Sequence, residues 1–595
     1  MILKALYDYY NQSDKVAPVG KEFKDIAILI VITQDGDFVR FEDTRNSEGN
    51  SKKYLVSKSW GRVGTTPQPF HFWDNFSYVM GISIANQKIK NDKLDDDVRK
   101  KLEKEILKNN KNHRAFVDYV NRMSKLHPDD LNVKAVSLFY DKNDDKLLEL
   151  LSESIIWKRP NNLLGTNLSF LIDGEKEIIA SKGVVLDFVE NSIPNKGNSI
   201  CLVTGEKCSP VLTFTKIRLG KYNDTKLISF QKNCGFESYG KTQGNNAPIS
   251  EDAEFKCSTA LKKMLEYNSL NKYNIGNRTY VFWTSSQTNK SKIIENSIYS
   301  FFCFSHDEDP DRDIFKLKTA LESIYNGRPL LNTEGWFYIL AIYPSNKARI
   351  SVSYWAEIPM EIFVSRMLSH FLDMEVGSGN ENCNYMGLYS ILKAVSFEGQ
   401  IFGDKSNLPP NLPDSVVKSI FEGLPYPQTL FSSCIRRIRA ESSDKDKSPV
   451  HITRAAIIKA YLNRLKNNEK KIEKMLDKEN NNQGYLCGRL FAVLDKIQEE
   501  ANNQHSIRER YMNSASSTPA AVFSTILNLS NHHAENLKND GRKIYFEKLK
   551  QEIISKIDAE GFKPQLDLQD QGRFFIGFYH QRQDFFTKNE EKNEE

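Results

Sequence analysis

The stretch that most limits what this chain can fold into is residues 484–533, GYLCGRLFAVLDKIQEEANNQHSIRERYMNSASSTPAAVFSTILNLSNHH. Leu486, Leu490, Leu494 and Ile497 recur at helical spacing, so this run predicts an amphipathic helix. A basic, serine-rich turn comes next. Thr518 then reads as an N-cap with Pro519 at the first helical position. Val522, Phe523, Ile526 and Leu527 form the next apolar stripe, and Tyr545, Leu549 and Ile553 a third. Three such stripes satisfy themselves by burying one another, which is a bundle pattern. No nucleophile–base–orienter set and no metal-ligand spacing is visible in the run. It reads as a surface that packs and grips.

The rest of the chain is mixed. At 595 residues it exceeds one ordinary core, and roughly 150 residues per domain suggests about three or four units. Ile26–Ile32 is a continuous apolar strand candidate, and Asp35-Gly36 turns it into a hairpin partner at Phe38–Phe41. Lys52–Val56 starts another strand, and loop 59–75 separates it from a charged helical region, 86–160. Leu94, Val98, Leu102 and Ile106 recur at helical spacing within that region. LISF (227–230) and TYVFW (279–283) read as strands. Ser250 reads as the cap of a helix reaching about Leu265, with Glu251 and Asp252 opposing its positive end. Residues 336–355 read as two strands around Pro344-Ser345-Asn346, and Ile362–Leu372 as a helix. No fixed-period repeat is found. The expected fold class is α+β: an α+β segment 1–160, a central α+β segment 161–384, a helical connector 385–474 and a helical bundle 475–595.

Hydrophobic residues are 39% and charged residues 27%, which places the chain among soluble globular proteins. The formal charge of +5 permits a nucleic-acid partner without demanding one. The start MILKALYDYY lacks a signal-peptide pattern, and no apolar run approaches the ~20 residues of a membrane helix. A cytoplasmic location and no membrane partner are expected. The 8 Cys are scattered, which argues for reduced thiols.

Cys201, Cys208, Cys234 and Cys257 could bind zinc, but neither pair has tight CxxC spacing, so buried or idle thiols are preferred. Adjacent His532-His533 point about 100° apart on a helix and cannot share a metal as an i, i+4 pair does. No HExxH, Walker-type or GxSxG motif is present, and no cofactor is expected. The basic clusters say more. Arg436, Arg437 and Arg439 lie close together, Arg454, Lys459 and Arg464 come after them, and Arg508 and Arg510 precede SASSTPA. Guanidinium groups, hydroxyls and a helix N-terminus all suit phosphate oxygens. Each cluster alone suits surface salt bridges as well. Loop 59–75 is the best candidate for reading bases. Gly61 and Gly64 allow close backbone approach; Arg62, Thr65, Thr66 and Gln68 supply polar contacts; Trp60 or Phe70 could wedge or stack. Lys52 and Lys53 precede it.

Ordered blocks along nearly the whole chain carry a resemblance: FWDNFSYVMGI (72–82), CLVTGE (201–206), SFQKNCGFESYGKTQGNNAPISEDAEF (229–255), PYPQTLFSSCIRRIRAE (425–441), RERYMNSASSTPAAVF (508–523) and QGRFFIGFYHQR (571–582). The chain resembles the large subunit of the type I-C CRISPR interference complex, Cascade. That resemblance implies a non-catalytic subunit in a crRNA-containing assembly with backbone and guide-processing subunits. It would recognise the short adjacent motif, the PAM, on double-stranded target DNA, help open the duplex and hold the displaced strand. A separate helicase–nuclease, recruited to the complex, would cut. The resemblance also implies a small subunit translated internally from the same gene's 3′ end, with Met475 as candidate start. The rival from another class is a metal-dependent nuclease.

Overall fold

In the computed structural model the described residues are all except 14–15, 59–65, 83, 90–95, 155–163, 188–196, 238, 287–288, 303–318, 320–334, 347, 378–385, 398–407, 443–447, 466–469, 503–505 and 591–595. The chain forms two compact units, neither continuous in sequence. One comprises residues 14–212 and 230–259; the other comprises 1–13, 213–229 and 260–595.

In the unit built mainly from the first 212 residues, a four-stranded sheet runs in the order Phe38–Asp43, Ile28–Ile32, Asn167–Ile172, Trp73–Asn75. The central pair is parallel, with Ile28 opposite Leu168, and both flanking pairs are antiparallel. The Asp35-Gly36 hairpin forms as expected. Its Gly36 adopts φ +81°, and a Cβ there would lie 2.6 Å from the Phe139 nitrogen, so both the turn and the helix beneath it require glycine. That helix, Leu131–Asn143, is capped by Asp130, which accepts from the N–H groups of Asn132 and Val133. It packs Phe139 and Tyr140 edge-on to Phe170.

The apolar run 26–32 is not one strand. It breaks at Ala27 into Lys21–Ile26, which pairs with Lys52–Ser57, and Ile28–Ile32, which belongs to the larger sheet. Ala27 donates its N–H to the Asn167 carbonyl and accepts from Thr44 N–H, so the chain changes sheets while both flanks stay buried. Burial on both sides keeps the run apolar and hides the break. The charged helix is Asp96–Leu126, and Val98 of the expected stripe is exposed. Leu102 of that stripe is buried and Ile106 half-buried, and the buried face continues through Phe116, Tyr119, Val120 and Met123.

The second unit opens on an antiparallel meander of Lys272–Ile275, Arg278–Thr284, Trp336–Pro344 and Ile350–Pro359. Helices Met360–Met374 through Ile452–Asn463 cover it. The bundle Gln483–Asn502, Ser506–Ala515, Pro519–Glu535, Asp540–Ile554 and Leu568–Glu590 completes the unit. One apolar cluster runs from Ile275 to Phe585 without interruption. The architecture is α+β, with a helical C-terminal region.

Ser250 caps Glu251–Met264 as expected, its hydroxyl accepting from Ala253 N–H at 3.2 Å. LISF is not a strand. The strand lies earlier, at Tyr222–Thr225, where buried Thr225 donates its hydroxyl to the Ile217 carbonyl. The chain then leaves one unit for the other between Ser229 and Phe230. Among the described residues no helix is long and apolar enough to cross a membrane.

Candidate nucleic-acid interface

Lys52 and Lys53 begin the strand Lys52–Ser57, and both are exposed. The Lys52 ammonium sits 5.1 Å from the centre of the Tyr54 ring. The strand leads directly into loop 59–75. Arg62 and Thr65, with Trp60, Gly61 and Gly64, lie outside the described residues. Where the loop resumes, Thr66 is exposed and Gln68 is half-buried, its N–H donating to the Tyr78 hydroxyl at 3.4 Å.

The loop's far end is tied down. Phe70 N–H donates to buried Asp74 at 3.1 Å, and the Phe70 ring stacks on Trp73 at 4.7 Å. Phe70 is therefore half-buried against the core rather than freely displayed. Phe72 is fully buried on left-handed backbone, φ 59°, a conformation uncommon for a bulky residue. His71 faces the Tyr119 hydroxyl, and burial pushes its pKa down to about 4, so it contributes no charge at neutral pH. The geometry is a fixed base from which exposed Lys52, Lys53 and Thr66 present polar groups.

The second set of candidates divides. On helix Gln428–Ala440, Arg436 is exposed and donates to Ser433 Oγ at 3.0 Å. Arg437 pairs with Glu441 and lies over the Phe397 ring. Arg439 donates to Gln571 of the last helix at 2.9 Å, and burial lowers its pKa. Arg454 is only 4% exposed. It donates to the carbonyls of Ala394 and Pro449 and to Glu441 at 2.6 Å. Arg508 is likewise interior, 2% exposed, while Arg510 is exposed. Neither Arg454 nor Arg508 presents its guanidinium to a phosphate, which corrects that part of the expectation.

Lys459 is also buried and donates to the carbonyls of Leu372 and Asp373, closing the end of Met360–Met374. Arg464 pairs with Asp373 at 2.6 Å. The signal for these inward cations was present. ITRAAIIKAYLN is apolar on every side of the helix, and such helices are buried, so their cations must find carbonyls or carboxylates.

The hydroxyls of the serine-rich turn bond back within the turn. Ser516 and Ser517 donate to the Asn513 carbonyl. Thr518 occupies the expected N-cap position, but its hydroxyl donates back to the Ser514 carbonyl and makes no cap bond. Removing Arg454 as Arg454→Met is expected to lower stability by about 2 kcal/mol, because two carbonyls and Glu441 lose charge-assisted bonds. The denaturant midpoint measures this; an unchanged midpoint would mean that water replaces those bonds at no cost.

Met475 is 44% exposed in the segment before Gln483–Asn502. Cys201 and Cys208 are buried in one small hairpin, and Cys201 Sγ accepts from Ser250 N–H at 3.3 Å. Cys257 is buried and Cys234 exposed. Among the described residues no group of three or more His, Cys, Asp or Glu is arranged to hold a metal.

The profile of a family described as CRISPR-associated protein (Cas_Csd1) matches residues 3–586. No curated protein matches the chain.

Proposed function

Because the chain belongs to the Cas_Csd1 family of CRISPR-associated proteins, we propose that it is the non-catalytic large subunit of a type I-C RNA-guided interference complex. It recognises the PAM on double-stranded DNA, aids opening of the duplex, stabilises the displaced strand and provides a platform for a recruited helicase–nuclease. The observation that carries this reading is the family match over residues 3–586. Its chemistry is supported by the exposed lysine strand that feeds a donor-rich loop.

In this reading Lys52 and Lys53 meet phosphates, while Arg62, Thr65, Thr66 and Gln68 approach the base edges of the motif. Arg436 and Arg510 are the outward cations left to touch backbone or a neighbouring subunit. Arg437 and Arg439 contribute to that face only through the helix they hold in place. Residues 475–595 are also made separately, from Met475, as the small subunit.

Co-purification with the neighbouring gene products, then sequencing of bound RNA, tests the assembly. Within the assembled complex, Lys53→Ala is expected to reduce the salt slope of PAM-duplex binding by about one. Arg62→Ala and Gln68→Ala are each expected to weaken that binding by about 1–3 kcal/mol. If affinity and slope are unchanged in all three, the strand and loop are structural. DNA cleavage by the pure chain with Mg²⁺ or Mn²⁺, surviving repurification, would overturn the non-catalytic assignment.

A further inference from the structure

Residues 231–237 and 239–243, of the run QKNCGFESYGKTQ, lie between two anchors and are exposed apart from half-buried Gln243. At one end the Phe230 and Phe236 rings meet edge-on, 6.2 Å between centres. At the other, buried Gly244 donates its N–H to the Leu212 carbonyl at 3.1 Å. Between them Tyr239 is 100% exposed. Asn233, Tyr239 and Gln243 all hold left-handed backbone, with φ of 57°, 52° and 47°. Few non-glycine residues do so, and a bulky one is an outlier. Burial of the ring would offset such strain, yet the Tyr239 ring buries nothing. Strain retained without a packing return points to a binding role.

The same loop turns a backbone amide onto an anion. Asn233 N–H donates to Glu237 Oε1 at 2.5 Å. With help from the amides of Gly235 and Cys234, it holds the Glu237 carboxyl below its ordinary pKa. Successive N–H groups of this kind form a concavity that binds phosphate as readily as carboxylate. Here the loop's own side chain fills it. Exposed Lys232 and Lys241 flank the concavity in sequence.

We propose that loop 231–243 grips single-stranded DNA: a phosphate replaces the Glu237 carboxylate among the amides, and Tyr239 stacks on a base. Lys232 and Lys241 add charge. A ring presented this way needs an unstacked base, which duplex DNA does not offer and a displaced strand does. The inference rests on the reading of this chain as a duplex-opening subunit, since that activity supplies the single strand.

The test uses the full chain, fluorescein-labelled oligo(dT) and, separately, a duplex carrying the PAM. Tyr239→Ala is expected to weaken oligo(dT) binding about five- to a hundred-fold, and Tyr239→Phe, which keeps the ring, to retain it. Glu237→Gln keeps the side chain's size but removes the competing charge, so it is expected to tighten oligo(dT) binding. Unchanged or weaker binding by Glu237→Gln overturns the phosphate exchange. Retained affinity in Tyr239→Ala overturns the stacking, and tighter binding of oligo(rU) than of oligo(dT) overturns the choice of DNA. The three variants are expected to bind the duplex as the parent chain does. A parent chain that binds the duplex but not oligo(dT) overturns the loop alone; one that binds neither overturns the reading beneath it.

Discussion

Gly488→Ala is expected to destabilise the helical region by about 3 kcal/mol. Gly484 and Gly488 lie one turn apart on Gln483–Asn502 and face Leu568–Glu590. A Cβ on Gly488 would overlap the Phe574 carbonyl oxygen and stand 2.9 Å from the Phe578 nitrogen. From the other side, a Cβ on Gly577 would overlap the Tyr485 carbonyl. These are backbone atoms, so relief requires one helix to move against the other. Alanine would gain up to about 1 kcal/mol of helix propensity. Overpacking against immobile backbone typically costs about 1–3 kcal/mol and occasionally more, and it outweighs that gain here. Gly541→Ala is the control, because the nearest atom there is the tip of the Asn539 side chain, at 3.0 Å. Denaturant unfolding of both variants measures the difference. Equal midpoints would show that the helix pair separates freely.

Met475→Leu is expected to abolish a separate C-terminal product while leaving the long chain folded. Met475 is half-exposed, and Leu is close to Met in volume, so the cost to the full chain should stay below about 1.5 kcal/mol. Met512 is the poorer start, because it would discard Gln483–Asn502, the helix to which the last one is locked. The proposed separate product would expose a face that the long chain covers. In the long chain its last helix packs on preceding helices: Arg439 donates to Gln571, and Phe431 fills the space beside Gly572. A free copy uncovers that face, which then suits a neighbouring protein surface. Mass analysis of the expressed products decides the matter. Persistence of the short product at unchanged mass in the mutant would remove Met475 from consideration.

Much of the fold was legible because its signals are local. Asp35-Gly36, Ser250 before two acids, and the paired runs around Pro344 are set by turn and cap chemistry within a few residues. The break at Ala27 was not legible, because its cause is Asn167, far along the chain. The basic clusters misled for a related reason. Arg454 and Lys459 carry the charge of a phosphate binder, but each directs it to a carbonyl some sixty to ninety residues away, and Arg454 to Glu441 as well. Helical periodicity marked Leu486, Leu490 and Leu494 correctly as core. It gave no weight to Gly484 and Gly488, where the absence of a side chain makes the closest contact possible. Of the loop candidates, Lys52, Lys53 and Thr66 are exposed, whereas Phe70 is half-buried against Trp73.

Helix Ile2–Gln12 belongs to the compact unit completed by residues 260–595, although the other unit is spelled out in between. This helix is synthesised before most of the other unit, yet its own unit is completed only after it. Roughly 250 residues separate the helix from the main body of its unit, which begins at residue 260, a wait on the order of ten to fifty seconds at ordinary elongation rates. For most of that interval Ala5, Leu6 and Tyr9, buried in the finished protein, lack the main body of their own unit, residues 260–595. The apolar face of Ile2–Gln12 is thus open to chaperones, proteases and other nascent chains while the intervening unit is made.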